Sequence, residues 1–436
     1  MKDENSFNQR YGEVLYILID IFLFLSIVLI IFSNVKIGFI GYFLTFLSIF
    51  ICIKVRKNEK LLFLFAILGF INISIGATDL IQKGINVASW QLPLRESISN
   101  IYTAKSLLLF LGTINLLISK KWLSERAMNI DLKTFKVKNN PIISYTGIVA
   151  MFIILVAGYG NELYSTSSYI SNDNPFIEYS ILIYAVVWMF SGKNKIIFFF
   201  LSLYAFIYVA YSLLLGDRSA SFLMLLLYYL LFFNRIKLSM GKIVILAILA
   251  IGLSNVVAET RDGEIDSISE VISNSFERGL YSDTVSYSYY ATITISAAHH
   301  IDDTQTYFYG YLKTIIFGGG SSEYGNLAKY VSDNYLYNVG GGLYTSYFYF
   351  GFGFFGVFLG ALILGMILKK VYSNNGYFSL LFQLLIPVLS IRWYLYGPTT
   401  FYRSIFLIGG VLLLVCFIVD KLTKEQEKEV YNVLKN

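Results

Sequence analysis

Apolar runs, each long enough to cross a bilayer, follow one another along this chain almost without pause. A hydrocarbon core takes about 20 mostly apolar residues of helix. Twelve runs qualify, at 14–33, 35–53, 60–77, 101–119, 142–160, 176–191, 196–215, 219–233, 243–258, 344–368, 377–396 and 401–419. The eighth is short and reads as tilted or partly re-entrant. Each run has to be helical, because an open strand would leave N–H and C=O groups unpaired in lipid. The expected fold is therefore all-α: a polytopic integral membrane protein of about twelve transmembrane helices, forming a single membrane domain over 1–436. Composition excludes the soluble alternative. Charged residues make up 14% of the chain against about 25% in soluble proteins. At 56% hydrophobic residues, one water-surrounded core could not bury the apolar surface. The polar start MKDENSFNQR precedes a full-length apolar run with no small-residue cleavage site, so that run reads as a first span and not a signal peptide.

Orientation follows from the basic residues. With the N-terminus inside, the inner segments hold 23 of the 34 lysines and arginines, among them Arg56, Lys57, Lys120, Lys121, Lys369 and Lys370. Lys54, Lys60 and Lys138 are counted in the same set. The bias holds loop by loop, as the positive-inside rule requires, and puts both termini in the cytoplasm. The net charge of +6 thus reads as a topology signal and an attraction to anionic headgroups, with no nucleic-acid partner. Cys52 and Cys416 each lie inside an apolar run, where a free thiol acts as a small hydrophobe.

The outer segments are short except for one, residues 259–343 between the ninth and tenth helices. A connection this long is usually functional or disordered, and its Tyr, Phe, Ile and Gly content is not that of disorder. The stretches 275–300 and 307–317 are expected as short interfacial helices along the membrane surface. Gly318-Gly319-Gly320 and Gly340-Gly341-Gly342 read as hinges. Glycines at 351, 353, 356, 360 and 365 in the next span read as helix-packing positions.

Five arginines carry the most chemical information: Arg218 in GDRSAS, Arg261 in ETRDGE, Arg278 in FERG, Arg392 in SIRWYLYGP and Arg403 in FYRSIF. The topology expects all five near the outer interface. A guanidinium there needs headgroups, water or a partner, and its planar fork matches phosphate oxygens bidentately. The alternative is snorkelling to lipid phosphates or pairing with Asp217, Asp262 or Glu277. The only histidines, His299 and His300, stand in the loop before Asp302 and Asp303. Either histidine can act as a general base; a solvated polar turn is the plainer reading. Glu277, Asp283 and Glu323 are equally plausible bases. The many loop tyrosines, Tyr289 and Tyr290 among them, offer faces and hydroxyls for sugars, or form an interfacial aromatic belt. HHIDD lacks convergent ligands, so no metal site and no cofactor is expected.

The short GDRS turn at 216–219, the long outer loop late in the chain, and the Gly341-Gly342-x3-Ser346 run leading into the next helix resemble the O-antigen and capsule repeat-unit polymerases, the Wzy-type proteins. Phe352 and Phe355 occupy the two later positions of that run's pattern. The resemblance covers most of the chain as architecture, but only 216–219 and about 340–365 as motif. Relatives often carry an acidic residue where this chain reads YTSYFYFG, so no catalytic role attaches there.

The resemblance implies a membrane glycosyltransferase in the bacterial cytoplasmic (inner) membrane. It would join undecaprenyl-pyrophosphate-linked oligosaccharide repeat units into O-antigen or capsular polysaccharide at the outer face. Arg218, Arg261, Arg278, Arg392 and Arg403 would hold the pyrophosphates, and His299, His300, Glu277 or Asp283 would deprotonate the acceptor. The tyrosines, Asp217 and Asp283 would line the sugar site. The implied partners are the lipid-linked oligosaccharide and the bilayer, with a chain-length regulator and a flippase as candidate protein companions. A lipid-linked oligosaccharide flippase would instead need charges at mid-bilayer depth and short loops on both faces. An O-antigen ligase, sharing the donor, is the other alternative.

Overall fold

In the computed structural model the described residues are 2–83, 87–127, 130–132, 134–159, 175–214, 217–233, 277–299 and 303–435, with single residues at 241, 252, 256 and 273. They are mainly helical, with no β-strand among them. Among the described residues, eight helices are long and apolar enough to cross a membrane, and three shorter apolar ones span Glu178–Phe190, Arg218–Phe232 and Tyr377–Val388. These coincide with eleven of the twelve expected runs. Most of the ninth, 243–258, lies outside the described residues, as does most of 259–276. The chain is a multi-pass, all-helical protein with the apolar helices of a membrane protein.

The chain divides into two compact units. One comprises Met1–Asn129, Glu277–Asn375 and Leu389–Phe401; the other comprises Ile130–Phe276, Gly376–Val388 and Tyr402–Asn436. The first unit begins with α1 (Lys2–Phe32), α2 (Ile37–Val55) and α3 (Glu59–Ser74), which runs on as a π-helical turn, Ile75–Ile81. It continues with α4 (Leu92–Arg95), α5 (Ile98–Leu117) and α6 (Lys120–Glu125). The second unit holds α7 (Pro141–Tyr159), α8 (Pro175–Phe190), α9 (Lys195–Leu214) and α10 (Arg218–Phe232). Back in the first lie α11 (Asp283–Ala297), α12 (Thr304–Phe317), α13 (Leu327–Asn334) and α14 (Tyr344–Tyr372). The second unit contributes α15 (Tyr377–Val388), the first α16 (Ser390–Leu395). A π-helical segment, Thr400–Ile408, then leads into α17 (Gly409–Lys435).

Helix starts follow the polar residues that precede them. Asn58, Ser97, Ser119, Asp217, Asp303 and Asn326 each accept a backbone N–H of the first turn, satisfying donors that a helix start leaves open. Two long runs break where their sequence allows it. The run 377–396 is not one helix: α15 contains Pro387, which has no N–H to donate, and the chain restarts at Ser390 as α16. Within α14, Gly353 takes φ +59° and ψ −145°, a conformation essentially confined to glycine. The packing reading of this helix's glycines holds at Gly365, where a Cβ would overlap Leu117 of α5, and at Gly351, where it would stand 2.9 Å from the Tyr307 ring. Gly353 is different in kind: it is where the helix kinks.

Two expectations change with the packing. Lys54 is no loop cation at a headgroup. It lies buried against Asp20 of α1, with Nζ–Oδ distances of 2.7 and 2.8 Å, and also donates to the Asn115 carbonyl and side chain. Lys60 is buried too, at 2% exposure. In the second unit Lys138 pairs with Asp420 at 2.7 Å and sits over the Phe417 ring. The other change concerns α11. It is not a half-exposed helix along a surface but is buried from Val285 to Ser296 on nearly every side, against α5, α13 and α14.

Candidate functional site

The burial of α11 is unusual because its sequence, DTVSYSYYATITISA, is rich in hydroxyls. A buried hydroxyl needs a partner, and here neighbouring helices supply most of them. Thr103 on α5 bonds Ser296 at 2.9 Å, and the Tyr289 hydroxyl donates to Asn100 Oδ1. Thr292 Oγ1 accepts the Leu343 N–H at 2.8 Å, while Asn338 donates to Thr294 at 3.0 Å. The helix is fixed along its length by polar bonds, and this fixes what its two ends present.

At the N-terminal end, Arg278 Nη1 donates to the Asp283 carboxylate at 3.1 and 3.3 Å, with both side chains mostly buried. Ser74, at the end of α3, donates to the Leu280 carbonyl at 2.8 Å. Two residues back on α3, Asn72 brackets the Tyr394 hydroxyl of α16, donating to it at 3.0 Å and accepting from it at 3.1 Å. Arg278 is therefore two residues from one anchor and Arg392 two residues from the other. The anchors themselves are two residues apart on α3. These bonds bring the Arg278 and Arg392 segments to the same end of that helix. The Arg392 guanidinium lies over the Tyr396 ring at 5.6 Å, a cation–π contact that fixes its plane. Tyr396 packs against Gly341, where a Cβ would stand 2.5 Å from the ring.

Beyond Ser74 the π turn carries Asp79, 3% exposed. Ser286 of α11 donates to its Oδ1 at 2.9 Å, and Thr78 Oγ1 lies 3.2 Å from Oδ2. The turn is held by a close crossing with α2: a Cβ on Gly76 would stand 2.6 Å from Thr45 Oγ1, and one on Gly41 would stand 2.8 Å from the Gly76 carbonyl. Tyr281 is buried beside Asp79 and Asp283; burial, reinforced by these two carboxylates, raises its phenol above the ordinary tyrosine value. The hydroxyl stays protonated and is a donor. Trp90 forms ring contacts at 6.1–6.2 Å with Tyr287, Tyr290 and Tyr337. Arg95 donates to the Lys83 carbonyl at 3.1 Å.

The C-terminal end of α11 carries His299, whose Nδ1 is 2.9 Å from the Phe350 carbonyl. A carbonyl only accepts, so Nδ1 carries a hydrogen, and in the neutral ring Nε2 holds the lone pair. Nε2 points at the kink, 3.3 Å from where a Cβ on Gly353 would stand. Thr304 likewise donates to the Gly351 carbonyl at 3.1 Å. Both side chains thus cap carbonyls that the break at Gly353 releases from the helix ladder. His299 has a structural reason to be where it is, and a fixed tautomer suited to accepting a proton on Nε2.

The remaining expected residues fall as follows. Glu277 is exposed. Asp283 is the ion-pair partner of Arg278, so service as a base would require breaking that pair. Tyr289 and Tyr290 are 0% and 1% exposed and pack inside the unit. Burial raises both phenols. Tyr307, Tyr311 and Tyr324 are buried as well and form an aromatic core with Tyr347 and Phe350. Of the loop's tyrosines, Tyr309 and Tyr337 are strongly exposed. In the second unit, Asp217 is the N-cap of α10, its Oδ1 accepting from Ala220 N and Ser219 Oγ, and Arg218 is the first residue of that helix, half-buried. Arg403 is half-buried in the π-helical segment Thr400–Ile408. Arg261 and His300 lie outside the described residues. No group of three metal-ligating side chains occurs among the described residues.

Sequence reasoning missed Asp79, Trp90 and Arg95. Asp79 had a signal: a lone acid at the edge of an apolar run, which is costly in a membrane and default evidence of a role. Compared with known proteins, the chain matches no family model, no curated protein and no solved structure.

Proposed function

We propose that this chain is a Wzy-type repeat-unit polymerase, acting on lipid-pyrophosphate-linked oligosaccharides at the outer face of a bacterial cytoplasmic membrane. In this reading it has twelve spans with both termini cytoplasmic, which puts the Asn72–Ser74 end of α3 on the outer side. The observation that carries the reading is the tethering of the Arg278 and Arg392 segments to that one end of α3, through Ser74–Leu280 and Asn72–Tyr394. A glycosyl pyrophosphate is already activated, so the enzyme's main task is to stabilise charge building on the departing pyrophosphate. Fixed cationic donors do this without reorganising during the reaction. Arg392 and Arg278 are the donors in the first unit, and Arg218 and Arg403 the further candidates in the second. His299 stands beyond the opposite end of α11 from Arg278, about 20 Å away by helix rise, so it is not placed to serve as the base for an acceptor hydroxyl at this site. The partly exposed Trp90, Tyr287 and Tyr337 rings suit sugar faces better than the buried Tyr289 and Tyr290.

The test is a deletion strain complemented with variants and examined by polysaccharide gel. Lipid capped with a single repeat unit in the deletion strain, and in Arg278→Ala and Arg392→Ala at normal protein levels, is the expected result. Loss of all glycan beyond the core would make the protein a flippase or a ligase. An unchanged ladder would remove it from glycan assembly.

A further inference from the structure

The Asp79 carboxyl plays no part in the arginine site, yet it is the one acid of the π turn and is nearly sealed off. Its polar contacts are Ser286 Oγ at 2.9 Å and Thr78 Oγ1 at 3.2 Å, and no ion pair involves it among the described residues. Tyr281, Tyr289 and Tyr290 face it from α11 and the turn before it, and Arg95 acts on Tyr290 from α4. Arg278, just before α11, is engaged by Asp283. From α2 the π turn meets Gly41 and Thr45, and α3 ends in Ser74; none of these is titratable.

Counting hydrogens decides the state of the acid. The Thr78 hydroxyl has one hydrogen, and it lies 2.8 Å from the Ser74 carbonyl, which can only accept. With that hydrogen on Ser74, the shorter of its two contacts, a Thr78 lone pair faces Asp79 Oδ2. Two acceptors at 3.2 Å in a buried site repel unless a proton lies between them. Ser286 supplies its hydrogen to Oδ1 and cannot also serve Oδ2. We infer that Asp79 is a buried proton-binding site, a neutral carboxylic acid whose Oδ2–H donates to Thr78 Oγ1 while Oδ1 accepts from Ser286. An ionised carboxylate here would be desolvated with one hydroxyl donor and no counter-ion, the costly case. Release moves that proton from Oδ2 to a water, leaving the carboxylate and hydronium and breaking no other bond. It requires a water to reach an acid that is only 3% exposed.

Infrared spectroscopy of the full-length protein in lipid vesicles, grown with carboxyl-13C aspartate, tests this assignment. Expected is a protonated-carboxyl carbonyl band that shifts with the label, moves down in D2O, and is missing from Asp79→Asn. An identical acid-band region in wild type and Asp79→Asn would overturn it. So would a band that appears only when sodium is removed, because the site would then hold a metal cation. If Asp79→Asn does not fold, Ser286→Ala keeps the acid and removes the donor to Oδ1, which should raise the carbonyl frequency; an unmoved band overturns the proposal equally.

Discussion

Replacing Lys54 by Met probes the packing of the first unit most sharply. The ammonium has three hydrogens and four acceptors within 3.0 Å: both Asp20 carboxylate oxygens and the carbonyl and side-chain oxygens of Asn115. Both charged side chains are nearly sealed, at 2% and 3% exposure. Methionine fills a similar volume but leaves the Asp20 carboxylate with only the Asn115 amide, which donates to it at 3.0 Å. Removing one partner of a buried pair costs about 3–5 kcal/mol, chiefly because the other charge is left uncompensated. At about 1.4 kcal/mol per tenfold, the unfolded fraction rises by two to three and a half decades, on the order of a hundred- to several-thousandfold. Replacing both partners with apolar residues, Asp20→Leu with Lys54→Met, removes both desolvation costs and should recover most of the loss. The assay is unfolding of the purified protein in mixed micelles, followed by tryptophan fluorescence, for wild type, both singles and the double. A coupling of about 2 kcal/mol or more between the sites is expected. Lys54→Met within about 0.5 kcal/mol of wild type, or single effects that add in the double, would refute the buried-pair reasoning.

Two further outcomes follow from local geometry. Gly353→Ala forces an L-residue into φ +59° and ψ −145°, costing about 1–3 kcal/mol; the same unfolding assay reads it, and an unchanged midpoint would mean α14 runs straight. Asp217→Ala removes the cap of α10 and should cost about 1 kcal/mol, whereas Asp217→Asn keeps the accepting oxygen and should be nearly silent. Loss of glycan elongation in a stable Asp217→Asn protein would instead give this residue a role in substrate contact.

The spans were legible because lipid imposes one pattern that side-chain detail seldom overrides: the run 101–119 is α5, and 344–368 lies within α14. The break at Gly353 was not legible, since a glycine chosen for close packing and one chosen for its backbone look alike in an apolar run. Only coordinates separate Gly365, pressed on Leu117, from Gly353, at the kink. The burial of α11 was hidden for a related reason. Its serines and threonines lower its hydropathy, while the partners that satisfy them, such as Thr103, Asn100 and Asn338, lie far away in sequence. Lys54 likewise looks like a loop cation until Asp20, 34 residues earlier, is seen beside it. At the site, the type and rough position of Arg278 and Arg392 were readable, but their shared tether to α3 depends on two long-range hydrogen bonds. The tyrosines misled, because a Tyr-rich segment can be a binding surface or, as at Tyr307 and Tyr324, a core.

Binding of undecaprenyl pyrophosphate to the purified protein, read by native mass spectrometry against undecaprenol, tests the central claim most directly. Wild type should retain the pyrophosphate lipid in clear preference to the alcohol, Arg278→Ala and Arg392→Ala should lose that preference, and Arg392→Lys should recover it only in part, because an ammonium lacks the planar fork. Equal retention of both lipids by wild type, or an undiminished preference in both alanine variants, would contradict the account.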